Sequence, residues 1–356
     1  MPAASTTNSP QQPAPRGPSL PRALALAHRL ARRQETVELQ GTVIHRSAAR
    51  PLAAVLVAAG LACLLGPIAP LPGALLLLAV AASLLVDLDG GQGWARRSLV
   101  LKDIGHNVLI WRTPRLPEPE DTAVFEHHPP TPPAAPLSQA PQLLLCVPAD
   151  DADTHHSRPQ RGLLVASMVA LAAGAVSLLV PALRVLSAPS YAAGLLLALA
   201  AAAWLLHVLR PPTTEPSLAL PHTEALTEAL RSQPPSTLVV SVAFVEGMFA
   251  HGDGIEVLLK NFRTILPPEH TRVLILQPAA GPLAVQPRAG LMGRLEADPL
   301  LAATTGEATD PGRSRSAARA LRIGWRAATI RGDLSETETL MSLVHTLDQA
   351  AKAGQW

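Results

Sequence analysis

Four groups of side chains in this sequence have types and spacings that could do chemistry. The first is Asp150, Asp151 and Asp153 followed by His155 and His156, with a second pair, His127 and His128, upstream. Imidazole with carboxylate is the donor set of zinc and other transition-metal sites. Both pairs lie in or beside Pro-rich sequence running from Pro114 to Pro141, where Pro129, Pro130, Pro132 and Pro133 exclude regular structure, so a solvated tract is the preferred reading. The second group, His251-Gly-Asp-Gly254, is a loose version of a phosphate-cradling turn, but it has no Walker lysine. A tight turn before a helix accounts for it. The third, Ser236, Ser241 and His270, lacks the spacing of a nucleophile elbow. The fourth is Cys63 in an apolar run and Cys146 in a strand-like run, positions that imply burial rather than a disulfide or a cysteine metal site. These residues by themselves assign no catalytic residue, no cofactor-binding residue, no metal ligand and no cofactor.

The elements that would position them divide into apolar runs and α/β sequence. Of 356 residues, 48% are hydrophobic, 16% charged and 3% aromatic, so the hydrophobicity is Ala, Leu and Val. The net charge of +2 is too balanced to suggest a nucleic-acid partner. Mean hydropathy of +0.23 points towards lipid. Pro51 to Val86 carries no charge, and one helix of that length would be about 54 Å long, well beyond the ~30 Å of a bilayer core. Gly66-Pro67 and Pro70-Leu-Pro-Gly73 break it in two. Gly162 to Leu183 and Ala192 to Leu206 form a second apolar pair, with Tyr191 and Trp204 near opposite ends of the last run. The expectation is a multi-pass integral membrane protein with four transmembrane helices in two hairpins. Basic flanks (Arg46, Arg50, Arg96, Arg97, Arg158, Arg161, Arg210) put the larger segments on the cytoplasmic side, as in a bacterial inner membrane. No Asp, Glu, Lys or Arg falls inside the spans, which disfavours a transporter. No apolar core with a cleavage site lies in the first thirty residues, so no cleaved signal peptide is expected.

The domain division expected is 1–20 a disordered tail, 21–50 a basic amphipathic helix and a strand, 51–87 the first helix pair, 88–161 the first part of an α/β domain with its Pro-rich loop, 162–209 the second pair, and 210–356 the rest of that domain. Strand character falls at 37–45, 98–101, 107–112, 142–147, 237–244, 271–276 and 327–330, and helices near 222–231 and 255–263. A final helix opens at a capping box of Ser335 and Glu338 and carries Leu340, Leu343, Val344 and Leu347 on one face. Such alternation is that of a parallel or mixed sheet, interrupted by the second helix pair.

The order of these elements resembles the membrane-associated members of the two-zinc aminopeptidase superfamily, which includes leucyl aminopeptidases and glutamate carboxypeptidases. The resemblance covers roughly 21–352. It is carried by Asn107-Val-Leu-Ile110, Leu143-Leu-Leu-Cys-Val-Pro-Ala-Asp150, Val239-Val-Ser-Val-Ala-Phe244 with its glycine turn and helix, Thr271-Arg-Val-Leu-Ile-Leu-Gln277, and Asp333 with the closing helix. It implies a peptidase-like sheet holding two zinc ions between His and carboxylate ligands, with a glutamate base. This chain departs from that pattern. The family's His-x-Asp reads Pro148-Ala149-Asp150, the bridging Asp falls at 218–220 where there is none, the Glu pair falls at Met248 to His251, the strand-end Asp falls at Gln277, and the last His falls near Thr329. Glu246 and His251 are the groups that a one- or two-residue shift would bring towards the site. The expectation is a membrane-anchored pseudopeptidase, its zinc site lost, serving as a binding or scaffold module for a protein or peptide partner beside the lipid bilayer. The alternatives are an active zinc-dependent hydrolase with displaced ligands, and an unrelated membrane protein with a small cytoplasmic α/β domain.

Overall fold

In the computed structural model the described residues are 19–32, 36–44, 49–88, 103–111, 140–149, 158–180, 188–209, 219–248, 252–279, 281–289, 295–303 and 314–356. Along the chain these form α1 (Ser19–Ala31), β1 (Thr36–Ile44), α2 (Ala49–Leu65), α3 (Pro70–Leu88), β2 (Asp103–Trp111), β3 (Gln142–Pro148), α4 (Arg158–Leu179) and α5 (Ala188–Leu209). Then follow α6 (Ala219–Ser232), β4 (Val239–Val245), α7 (Asp253–Asn261), β5 (Thr271–Pro278), β6 (Ala284–Gln286), β7 (Arg288–Ala289), β8 (Leu295–Glu296), α8 (Pro299–Ala303), α9 (Arg315–Arg322), β9 (Arg326–Gly332) and α10 (Thr337–Lys352). The tail 1–18, the run 98–101 and most of the Pro-rich stretch lie outside the described residues.

Among the described residues seven strands make one mixed sheet in the order β1-β2-β4-β3-β5-β9-β6. The central strands β4, β3, β5 and β9 are mutually parallel, while β1, β2 and β6 add antiparallel edges. Leu145 stands opposite Val242 on one side and Leu274 on the other. Strands from before and after α4 and α5 therefore share one sheet.

The central strands read as continuous apolar runs because both their faces are covered, as parallel sheets require. Phe244, Leu143, Leu145, Leu274 and Ile330 point to one face, where Leu26 and Leu30 of α1, Leu226 and Leu230 of α6, and Leu343 and Leu347 of α10 pack on them. Leu144, Cys146, Val245, Val273 and Ile275 point to the other, beneath Ile255 and Leu258 of α7 and Ala317 and Ala320 of α9. The basic helix α1 is thus a layer over the sheet. Its apolar stripe is buried, and Arg29 on its outer side reaches Glu224 of α6 at 3.4 Å.

The apolar runs require a correction. Among the described residues no helix is long and apolar enough to cross a membrane, which overturns the expectation of four transmembrane helices in two hairpins and, with it, the multi-pass inner-membrane assignment and its cytoplasmic side. Part of the reason lies in the helix limits. Helix α2 has 17 residues, about 26 Å at 1.5 Å per residue, against the ~30 Å of a hydrocarbon core. Helix α3 has 19 residues and opens on Pro70-Leu-Pro-Gly73, and α4 opens on Arg158-Pro-Gln-Arg161. Much of the hydrophobicity serves helix-to-helix packing. Helix α2 packs on α5, α3 on α4, and α4 on α5, burying Leu56, Cys63, Leu77, Leu171, Leu178 and Leu197 between them. Small residues let the helices approach. The Cβ of an alanine at Gly174 would lie 2.8 Å from Cys63 Sγ, and one at Gly194 would lie 3.1 Å from Cys63 Cβ. The hydroxyls of Ser177 and Ser190 share a 2.8 Å hydrogen bond between α4 and α5.

Candidate functional site

In a sheet of this kind ligands sit beyond the carboxyl ends of the parallel strands, where successive connections leave to opposite faces. Here that point lies between β3 and β4. The chain returns from β3 to β4 through α6 on the face of α1 and α10, and leaves β4 for β5 through α7 on the other face. The residues at the two strand ends are Pro148 and Ala149 on one side, and Glu246, Gly247 and Met248 on the other, tied by Ala149 N–H donating to Val245 O at 3.0 Å.

The one carboxylate described at this point faces inwards. Glu246 is buried, and its Oε2 accepts the backbone N–H of His106 on β2 at 3.0 Å. Beside it Asn107, fully buried, joins three elements. Its Nδ2 donates to Gln40 Oε1 of β1 at 3.1 Å and to Gly254 O of α7 at 3.0 Å, and its Oδ1 accepts Glu246 N–H at 3.3 Å. The first turn of α7 comes so close that a Cβ at Gly254 would fall on the Glu246 carbonyl oxygen. The turn between β4 and α7 is fastened as well. Gly252 N–H donates to Gly247 O at 3.1 Å, and Ser316 Oγ of α9 donates to Met248 O at 2.5 Å. Gly252 holds φ 71°, a left-handed conformation that glycine adopts without steric cost.

Behind this turn lies an ion-pair group in which Arg319, Glu256 and Asp253 are buried and Lys260 is exposed. Arg319 of α9 brings Nε to 2.5 Å from Glu256 Oε2 and Nη2 to 3.9 Å from Asp253 Oδ1. Lys260 Nζ closes on Glu256 Oε1 at 2.6 Å. The group locks α9 to α7. The Lys260–Glu256 pair has the i,i+4 spacing of a single helix, but nothing in the residue types advertises Arg319, which comes from a separate one.

The remaining positions separate. Gln277 is the penultimate residue of β5, beside Arg331 of β9. Thr329 sits in the middle of β9 opposite Ile275 and Gln286, its hydroxyl buried among strands, and so is not at a strand end. Ala219 and Leu220 belong to the first turn of α6. Beyond β5 and β9 the chain closes on itself: Ala279 N–H donates to Gly332 O at 2.8 Å and Asp333 N–H to Gly281 O at 2.8 Å. The expected capping box is replaced, with α10 starting at Thr337 and Asp333 Oδ1 accepting Ser335 N–H at 2.9 Å. Asp150, Asp151, Asp153, His127, His128, His155, His156 and His251 lie outside the described residues.

Two zinc ions do not fit the residues described at the strand ends. Proline offers no side-chain donor, a methionine thioether is a soft and weak one, and Glu246 is engaged by β2. Among the described residues no group of three or more His, Cys, Asp or Glu is placed to hold a metal ion. The buried thiols are poor nucleophiles, since burial pushes Cys63 up to about 11 and Cys146 higher still.

Elsewhere a buried carboxylate ties α10 to the chain just before β4. Asp348 of α10 accepts Thr237 N–H and Leu238 N–H on Oδ1, both at 2.8 Å, and Ser236 N–H and Oγ–H on Oδ2 at 3.2 and 3.0 Å, with Lys352 Nζ at 3.0 Å. Burial works to raise its pKa. The donors to the charged form outweigh that and hold it well below the usual carboxylate range. A lone Asp in an amphipathic helix reads as a surface acid, and nothing in its own segment marks it as the clamp that starts β4.

No family model matches the chain, and no curated protein and no solved structure matches it.

Proposed function

We propose that this chain is a degenerate relative of the two-zinc aminopeptidase superfamily, and that its α/β domain binds a protein or peptide partner without hydrolysing it. The reading draws support from a sheet assembled from both sides of an inserted helix pair. The observation that carries it is Glu246. It is the carboxylate that directly follows the central strand, the one that a one- or two-residue shift would bring towards the base position, and here it accepts the His106 amide. A metal-bound water becomes a nucleophile near neutral pH when the metal lowers its pKa and a free carboxylate takes the proton. Pro148 supplies no ligand atom, and Gln277 supplies no charge.

The test is metal content together with hydrolysis. Purified protein should carry less than stoichiometric zinc and leave aminoacyl-anilide substrates intact. Hydrolysis that a chelator stops and Asp150→Ala abolishes would overturn the proposal and return the protein to the active hydrolases.

A further inference from the structure

We draw no further inference here: the strongest candidate, the exposed apolar outer face of the α2–α5 helix group with Leu61, Leu65, Leu75, Leu78, Leu195 and Leu199 on it, is an unpartnered surface, and nothing in the structure shows what covers it.

Discussion

The Glu246 carboxylate accepts the backbone N–H of His106 at 3.0 Å, across 140 residues of sequence. A side chain at the mouth of the sheet is thereby turned into a fastening between β4 and β2. Pairing between these strands is short, running from Val108 opposite Phe244 to Ile110 opposite Val242, and the Glu246 contact extends it beyond the ladder.

Glu246→Ala should therefore act on stability. It strips a carboxylate acceptor from a partly buried amide, a loss of about 1.5–3 kcal/mol. Glu246→Gln keeps an acceptor oxygen and should recover more than half of that. Urea midpoints of the two variants against the parent measure this. Equal destabilisation by both would mean that the hydrogen bond contributes little.

Asp348 sets an acid limit on the fold. Its pKa is lowered in the folded chain, so the stability it contributes is present above the unfolded carboxylate value of about 3.9 and is lost as pH falls towards the folded one. Asp348→Asn, which cannot accept all of these donors as an anion, should lose about 2–3 kcal/mol at neutral pH. The difference between parent and variant should shrink steadily below pH 4. Denaturant unfolding at several pH values checks the sign, and a gap that widens in acid would contradict the assignment.

Gly174 and Cys63 should be coupled. Alanine favours a helix over glycine by about 1 kcal/mol, but at 174 its Cβ would come 2.8 Å from Cys63 Sγ, closer than packed atoms tolerate. Gly174→Ala alone should destabilise by about 1–3 kcal/mol. In a Cys63→Ala background the same change should be neutral or stabilising. A double-mutant cycle read by thermal unfolding decides it; additivity would remove the contact from the account.

Both thiols should be silent in the native protein. Cys63 and Cys146 are buried and free, and desolvation raises both. At pH 8 a maleimide should modify neither within the time in which it labels both in denaturant. Labelling of Cys146 under native conditions would show that the centre of the sheet opens, since that side chain is fully buried beneath α7 and α9.

Arg272 and Asp298 form a buried pair whose halves should not be separable. Arg272 Nε donates to Asp298 Oδ1 at 3.0 Å, its guanidinium lies 4.4 Å from the Trp356 ring centroid, and Nη1 is buried without a partner. Asp298 also receives Leu300 N–H and Leu301 N–H at the start of α8. Asp298→Ala should cost about 3–5 kcal/mol by stranding the cation, and Arg272→Met in that background should recover a substantial part. Unfolding midpoints of the single and double variants test this.

The local pattern alone pointed to strands at 142–147, 237–244 and 271–276, and they form at Gln142–Pro148, Val239–Val245 and Thr271–Pro278. Runs rich in Val, Leu and Ile, of strand length and bounded by Pro, Gly and polar residues, suit a strand covered on both faces. The same holds for α10, whose buried Leu340, Leu343, Val344 and Leu347 repeat at helical spacing. The short edges and helices β6, β7, β8, α8 and α9 escaped that reading because segments of two to eight residues carry too few periods to show one.

Tertiary structure decided the rest. Hydropathy measures the transfer of each side chain out of water, and it is the same whether the chain meets lipid or a neighbouring helix, so the Ala/Leu runs could not disclose that Cys63 meets Gly174 and Leu56 is buried among helices. Strand order depends on where the connections pass, which no single strand encodes. Glu246 and Asp348 reveal their roles only when His106, Thr237 and Leu238 arrive from distant segments. A carboxylate's chemistry is set by the donors around it, and those are chosen by the fold.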